Sequence, residues 1–196
     1  MENFNEYCDV VDFRAFTDYV QQEGRETKLK RKEYLSQQDM IVQYGGYITK
    51  GAVRYTCSDE EGKEHIVGYS FENDFACDYP SFIHHKPGMV NVQAIRDTTL
   101  YILNNQQLNH YIDHVEGGAY IYRRLAEEYA TTFYKRLLSF YRETPEQRYI
   151  ELLQRHPGLT KMIPLKEIAS FIGVTPETLS HIRARLKQDT KNSGLL

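Results

Sequence analysis

The sequence predicts an α+β protein: an N-terminal antiparallel β jelly roll, then a long helix, then a C-terminal helix-turn-helix. Three observations predict it. From Lys28 to Leu103, short runs rich in β-branched and aromatic residues alternate with turn residues, the mark of a small antiparallel barrel. From Asn104 the apolar residues switch to a helical period. Between Ile163 and Leu186, two amphipathic segments flank a glycine and an N-capping threonine.

The chain opens with a helical pattern. Phe4, Tyr7, Cys8, Val11, Ala15, Phe16, Tyr19 and Val20 recur at three- and four-residue spacing, which predicts a helix over roughly 4–22. The expected strands are Met40–Tyr44, closed by Gly45-Gly46, then Tyr47–Lys50, Ala52–Cys57, His65–Tyr69, Val90–Ile95 and Thr99–Leu103. Ser58-Asp-Glu-Glu-Gly62 is a polar hairpin turn between two of them.

Beyond Asn104 a seam steps alternately by four and three residues. It runs through Leu108, Ile112, Val115, Ala119, Tyr122, Ala126, Tyr129, Phe133 and Phe140, with a gap at Arg136 beside Leu137. Gly117-Gly118 divides it into a short helix and a long one over about 119–141. Ile121, Leu125 and Leu138 lie off the seam, where the β domain would cover them. A helix with two apolar faces needs two partners, and no other long helix in the chain is available for the seam. A homodimer joined through Ala119, Tyr122, Ala126, Tyr129 and Phe133 is therefore expected, against a single-chain bundle helix. The expected domains are 1–116, 117–142 and 143–196.

Thr144-Pro145 breaks and restarts the helix, and Glu146–Arg155 continues with Tyr149, Ile150, Leu152 and Leu153 apolar. In the next helix Pro164 opens the first turn, and Leu165, Ile168, Ala169 and Ile172 form the apolar stripe. Gly173 stands where the turn needs a left-handed backbone, Val174 fills the gap between the helices, and Thr175-Pro176 caps and starts the second helix. Leu179, Ile182 and Leu186 point inward. Thr175, Glu177, Thr178, Ser180, His181, Arg183, Arg185 and Lys187 form a polar, partly basic face, as on a helix that enters the major groove of double-stranded DNA. An ordinary helical hairpin is the plainer alternative.

Composition agrees with a globular chain: 41% of residues are hydrophobic and 26% charged. No apolar run approaches the ~18 residues of a membrane span. Met1–Glu6 is acidic and lacks an apolar core region, so a cytoplasmic protein with no membrane partner is expected. Cys8, Cys57 and Cys77 are an odd, scattered set that suits reduced thiols. Net charge is −3, but unevenly spread: residues 145–196 hold eight basic and five acidic side chains, +3, which leaves −6 on residues 1–144. A mildly basic end on an acidic body suits a DNA-reading module attached to a sensor.

Ile168-Ala-Ser-Phe-Ile-Gly-Val-Thr-Pro-Glu-Thr-Leu-Ser-His-Ile-Arg183 resembles the recognition segment of the Crp/Fnr family of bacterial transcription regulators. Thr144-Pro-Glu-Gln-Arg-Tyr149, Arg155-His-Pro-Gly-Leu159 and Ile163-Pro-Leu-Lys-Glu-Ile-Ala169 are similar to its Bacteroidetes branch, and Lys50-Gly-Ala-Val-Arg54 and Asp59–Ile66 resemble its strand turn and following hairpin. The resemblance covers about residues 25–190. It implies a cyclic-nucleotide-binding-like β-barrel, a dimerisation helix and a winged helix-turn-helix. It further implies a homodimer on a two-fold symmetric operator, which recruits or blocks RNA polymerase.

The chain departs from that pattern at three places. In the stretch matching the cyclic-AMP site, Asp78 falls near the expected glutamate, Cys77 replaces its glycine, and Gly88-Met89 stands where the phosphate arginine belongs. His85 and Lys86 are the candidate cations there; cyclic AMP is not carried over, no cofactor is required, and the effector stays open. The tyrosines Tyr44, Tyr55, Tyr69 and Tyr79 are pocket or core. At the DNA face the family's reading arginines correspond to Pro176 and His181, with Glu177 retained. Gln188–Leu196 is short for a full wing, so a reduced wing is expected.

Two other functions compete. A cupin-type metal enzyme needs a His-x-His pair with a downstream Glu and a further His; His65 stands alone and His84-His85 are adjacent, so no metal site or catalytic residue is expected and the protein reads as a non-enzyme. A sensor acting through protein contacts, with DNA binding lost, is the other.

Overall fold

The computed structural model describes residues 4–5 and 12–192, with side chains to Gln188. Tyr7, Cys8 and Val11 of the expected first helix lie outside the described residues. The chain divides into two compact units, residues 1–135 and 136–196.

In the first unit, helix α1 spans Arg14–Glu23 and buries Phe16 and Val20. It starts behind Phe13 as its N-cap, and Phe4 and Asn5, at the start of the expected helix, lie in a bend. Eight strands follow: β1 Arg25–Leu29, β2 Tyr34–Ser36, β3 Tyr44–Lys50, β4 Ala52–Ser58, β5 Glu64–Phe71, β6 Phe75–Ala76, β7 Asn91–Ala94 and β8 Thr98–Asn104. They form two four-stranded antiparallel sheets, β1-β8-β3-β6 and β2-β7-β4-β5. This is the jelly roll that the alternating runs predict.

Leu29, Ile48, Val53, Ala76, Val92, Ala94, Leu100 and Ile102 form one buried cluster of the sandwich. A second cluster of Phe16, Val20, Val42, Phe82, Leu103, Leu108 and Tyr111 joins sheet and helices. Gly51 turns β3 into β4 at φ +107°, where a side chain would meet the backbone of Asp97 and Thr98.

One expected strand is corrected. Met40–Gln43 is not a strand: Val42 is buried, but Met40 is 63% exposed, and the run makes only an isolated bridge, Ile41 to Pro87. The next strand starts instead at Tyr44 and runs through both glycines.

After β8, helix α3 covers Asn105–His114 behind a capping box of Asn104 and Gln107. One earlier helical turn, α2, spans Tyr79–Ile83. Helix α4 runs Gly118–Arg142, and the boundary between the units falls within it, after Lys135. Ile121, Tyr122 and Leu125 pack against the second cluster of the first unit.

The second unit begins with the end of α4. Thr144 and Gln147 form a capping box on α5, Pro145–Arg155, with Pro145 in its first turn. Then come α6 Leu159–Met162, α7 Leu165–Phe171 and α8 Pro176–Asn192. Pro164 is the N-cap of α7 at ψ 140°, one place earlier than expected, because its backbone is still extended. Tyr149, Leu152, Leu159, Ile163, Ile168, Ala169, Ile172, Leu179 and Ile182 form the buried core of this unit. No strand follows α8 among the described residues.

Candidate functional site

The turn between α7 and α8 sets the geometry of the first candidate site. Gly173 has φ +76°; its N–H donates to Ser170 O at 3.0 Å and the Val174 N–H donates to Ala169 O at 2.9 Å. This pair of bonds is a Schellman turn, and it meets two carbonyls that the helix end leaves without partners. Thr175 Oγ1 then accepts the Thr178 N–H at 3.2 Å, which caps α8. Leu179 and Ile182 are buried and Leu186 half-buried. Every third or fourth residue thus faces the core, and the opposite face is exposed.

On that face Thr175, Glu177, Thr178, Ser180, His181, Arg185 and Lys187 are exposed and Arg183 is half-buried. Glu177 is held below its ordinary pKa by backbone and Thr175 hydrogen bonds, so it stays a carboxylate at neutral pH. Ser180 donates to Pro176 O at 2.9 Å. Arg185 pairs with Glu146 of α5, a contact that adjacent-residue reasoning missed because the partners are 39 positions apart. Thr144, Glu146, Gln147, Ile150, Thr178, His181 and Arg185 line a cleft of about 610 Å³ beside the face.

The second site is in the first unit. Asp78 is buried, at 4% exposure, and its Oδ2 accepts the N–H groups of Met89 at 2.6 Å and Val90 at 3.3 Å. His85 and Lys86 are exposed on the turn that ends α2, where their amides donate to Phe82 O and Ser81 O. The structure therefore brings Asp78 to the backbone of residues 89–90, while His85 and Lys86 stay at the surface.

Tyrosines fill the surroundings. Tyr55 shares a hydrogen bond with Ser70 at 3.0 Å and accepts the Cys77 N–H at 3.3 Å. Tyr69 is core, and Tyr44 packs on the sandwich cluster. Tyr79 donates to the Tyr122 hydroxyl at 2.9 Å and its ring lies 5.1 Å from that of Tyr129. Burial raises the pKa of Tyr55, Tyr79, Tyr129 and the Cys77 thiol, so all four are neutral at physiological pH. Tyr122 and Tyr129, which the heptad spacing places on the seam of α4, both contact Tyr79 of their own chain.

A cyclic phosphate does not fit these residues. The buried Asp78 carboxylate already takes the Met89 and Val90 amides, and no arginine lies between Phe71 and Val90. A phosphate there would lack the guanidinium that offsets its charge. Among the described residues, no group of three or more His, Cys, Asp or Glu side chains is placed to hold a metal ion. No helix among them is long and apolar enough to cross a membrane.

The architecture is a jelly roll followed in the chain by a long helix and a helix-turn-helix. Residues 26–115 match the family model of the cyclic nucleotide-binding domain. Its fold is similar to those of several solved structures. FixK2 from Bradyrhizobium japonicum is similar at 18% identity and TM-score 0.71, covering 85% of each chain. A CooA mutant from Carboxydothermus hydrogenoformans is similar at 17% identity and TM-score 0.68, over 99% of this chain and 86% of the other. The c-di-GMP-responsive global regulator CLP of Xanthomonas campestris matches at 13% identity and TM-score 0.68, over 89% and 92%. No curated protein matches the sequence.

Proposed function

We propose that the protein is a transcription regulator of the Crp/Fnr type that binds double-stranded DNA as a homodimer. The observation that carries the reading is the Schellman-turned helix pair, whose second helix presents Glu177 and His181 on the face opposite buried Leu179 and Ile182, with exposed Lys187 and half-buried Arg183 at its flank. A helix of this kind is the part that enters a major groove, with its N-terminal side chains at base edges. The structural neighbours support it, since the matched CLP is by its title a global regulator of gene expression.

Helix α4 supports the dimer. Ala119, Ala130, Phe133, Tyr134, Leu137 and Tyr141 are exposed along one side of it, and Phe133, Tyr134, Leu137 and Tyr141 are 45%, 62%, 52% and 82% exposed. An apolar stripe of this size on a long helix suits a second copy of the same helix. Ala119, Ala126 and Phe133 stay in the interface, and Tyr122 and Tyr129 leave it for Tyr79. The effector, if one binds, is not a cyclic nucleotide held by its phosphate. Contact with RNA polymerase follows from the regulator reading.

A gel-shift titration on the protein's own promoter region, at low and at high salt, tests the proposal. Sequence-dependent retardation that weakens steeply with salt is expected. No retardation at low ionic strength would overturn it in favour of a sensor that acts through protein contacts.

A further inference from the structure

The second unit contains a junction that the reading helix alone does not explain. Arg148, on α5, donates from Nε and Nη2 to Ile172 O at 3.1 and 3.0 Å. Its Nη1 donates to Glu143 O at 2.7 Å and to Ser139 O at 3.4 Å. Ile172 is the C-cap of α7, and Ser139 and Glu143 lie at the end of α4. One guanidinium thus meets carbonyls at the C-terminal ends of two helices at once, Ile172 O and Glu143 O most closely, where the helix dipole favours a cation.

A second arginine repeats the arrangement. Arg136 Nη2 donates to Phe171 O at 3.1 Å, and its guanidinium lies 3.8 Å from the centre of the Phe171 ring. Phe140 closes the junction. Arg148 stacks over its ring at 4.9 Å, and a side chain at Gly173 would come within 2.8 Å of it. The end of α4, the end of α7 and the turn that starts α8 are therefore fastened at one point by two planar, multiply donating groups.

We propose that Arg148 and Arg136 are positioning residues that fix the direction of the recognition helix on the last turns of α4, and so set the half-site separation the protein accepts. This rests on the dimeric DNA-binding reading above. In a dimer built on α4, a rigid junction fixes the distance and angle between the two recognition helices. A lysine at either place keeps the charge but loses the fork, so it loosens the direction without removing the cation.

The test compares wild type with the double variant Arg136→Lys/Arg148→Lys as full-length protein. Binding is measured on a two-half-site operator, on the same operator with one base pair inserted or removed, and on a single half-site. The variant is expected to lose about tenfold on the best-spaced operator, to tolerate the altered spacings better than wild type, and to match wild type on the single half-site. Equal loss on all DNAs, or no loss on any, overturns the proposal. Hydrogen exchange without DNA provides the second readout. Amides of residues 171–175 are expected to exchange about tenfold faster in the variant. Unchanged exchange overturns the rigid junction even if DNA binding stands. Wild type that binds no DNA overturns the regulator reading, and the spacing claim falls with it, whatever the exchange data.

Discussion

The carboxylate oxygen of Asp78 lies 2.6 Å from the amide nitrogen of Met89 and accepts its proton. Asp78 thus takes the Met89 and Val90 amides, in a stretch that carries no arginine for a ligand phosphate. Cyclic AMP or cyclic GMP is therefore expected to leave the melting temperature unchanged. A ligand at about 100 times its Kd would add about 2.7 kcal/mol, which a thermal scan resolves readily. Asp78→Ala leaves two amides without their acceptor and should cost about 1–3 kcal/mol in denaturant unfolding. Asp78→Asn, which keeps an acceptor oxygen, should cost less. A clear upward shift of wild type with cyclic AMP would refute this account of the site.

The Tyr79–Tyr122 hydrogen bond gives a pH dependence of definite sign. Burial and this bond raise the Tyr79 pKa, and burial raises those of Tyr129 and Tyr55. A raised folded-state pKa means that the folded protein holds the proton more tightly than the unfolded chain. The stabilisation is full below the unfolded value near 10 and is lost as pH rises above it. Chemical denaturation between neutral pH and pH above 10 should show stability falling on the alkaline side. Tyrosine absorbance should report a group of tyrosines, Tyr55, Tyr79 and Tyr129 among them, that ionise at higher pH in the folded than in the unfolded protein. Tyr79→Phe should flatten the alkaline loss.

Much of the fold is legible in the sequence. Strands β3, β4, β5, β7 and β8 carry β-branched and aromatic runs, and all five were found. Strand β1 was invisible because Arg25-Glu-Thr-Lys-Leu29 is a polar edge strand with only Leu29 buried. Strands β2 and β6 are three and two residues long, too short for any period. Met40–Val42 misled in the other direction, since its apolar residues are largely exposed. On α4 the heptad template does not reveal that Tyr122 and Tyr129 also contact Tyr79, because Tyr79 is more than forty positions away in the sequence. The helix-turn-helix was legible almost residue by residue, as its glycine, cap and stripe are local. The Arg185–Glu146 and Arg148–Ile172 contacts join distant segments and leave no local trace.

Gly173 concentrates two requirements in one residue. Its φ of +76° is strained for any L side chain, and an added Cβ would meet Phe140 at 2.8 Å. Gly173→Val should destabilise the second unit by about 1–3 kcal/mol from the backbone alone, with the Phe140 clash in addition. Circular dichroism melts should then separate a weakened helical transition from an unchanged β transition. A melt like that of wild type would contradict the turn geometry.

Leu137 tests the dimer without touching either site. It is 52% exposed on the stripe of α4. Leu137→Asp places charge where an apolar surface should meet its copy, so sedimentation should show a shift toward monomer at micromolar concentration. Far-ultraviolet circular dichroism should stay as in wild type, because the residue is not part of the buried core. Tyr122→Asp is the contrasting variant: Tyr122 accepts the Tyr79 hydrogen bond, so folding of the first unit should suffer instead. If Leu137→Asp leaves the dimer intact, the stripe is not the interface.

His181 and Lys187 both stand exposed on α8, but at different ends of its reading face, and they should fail differently. The N-terminal part of a recognition helix meets base edges, and the later turns meet phosphate. His181→Ala should therefore relax preference at one or two operator positions, with discrimination falling by up to about 1–3 kcal/mol there. Lys187→Ala should weaken binding to all sequences alike and reduce the slope of log K against log salt by about 1. Glu177 adds a further distinction. It is held ionised at the start of α8, and as an acceptor it favours a cytosine amino group, so Glu177→Gln should change which base is preferred more than how tightly DNA is held. Selection from randomised duplexes with each variant, beside salt titrations on one fixed duplex, separates these outcomes. If His181→Ala changes only the salt slope and Lys187→Ala only the base preference, the helix lies in the groove in the opposite sense to the one assigned.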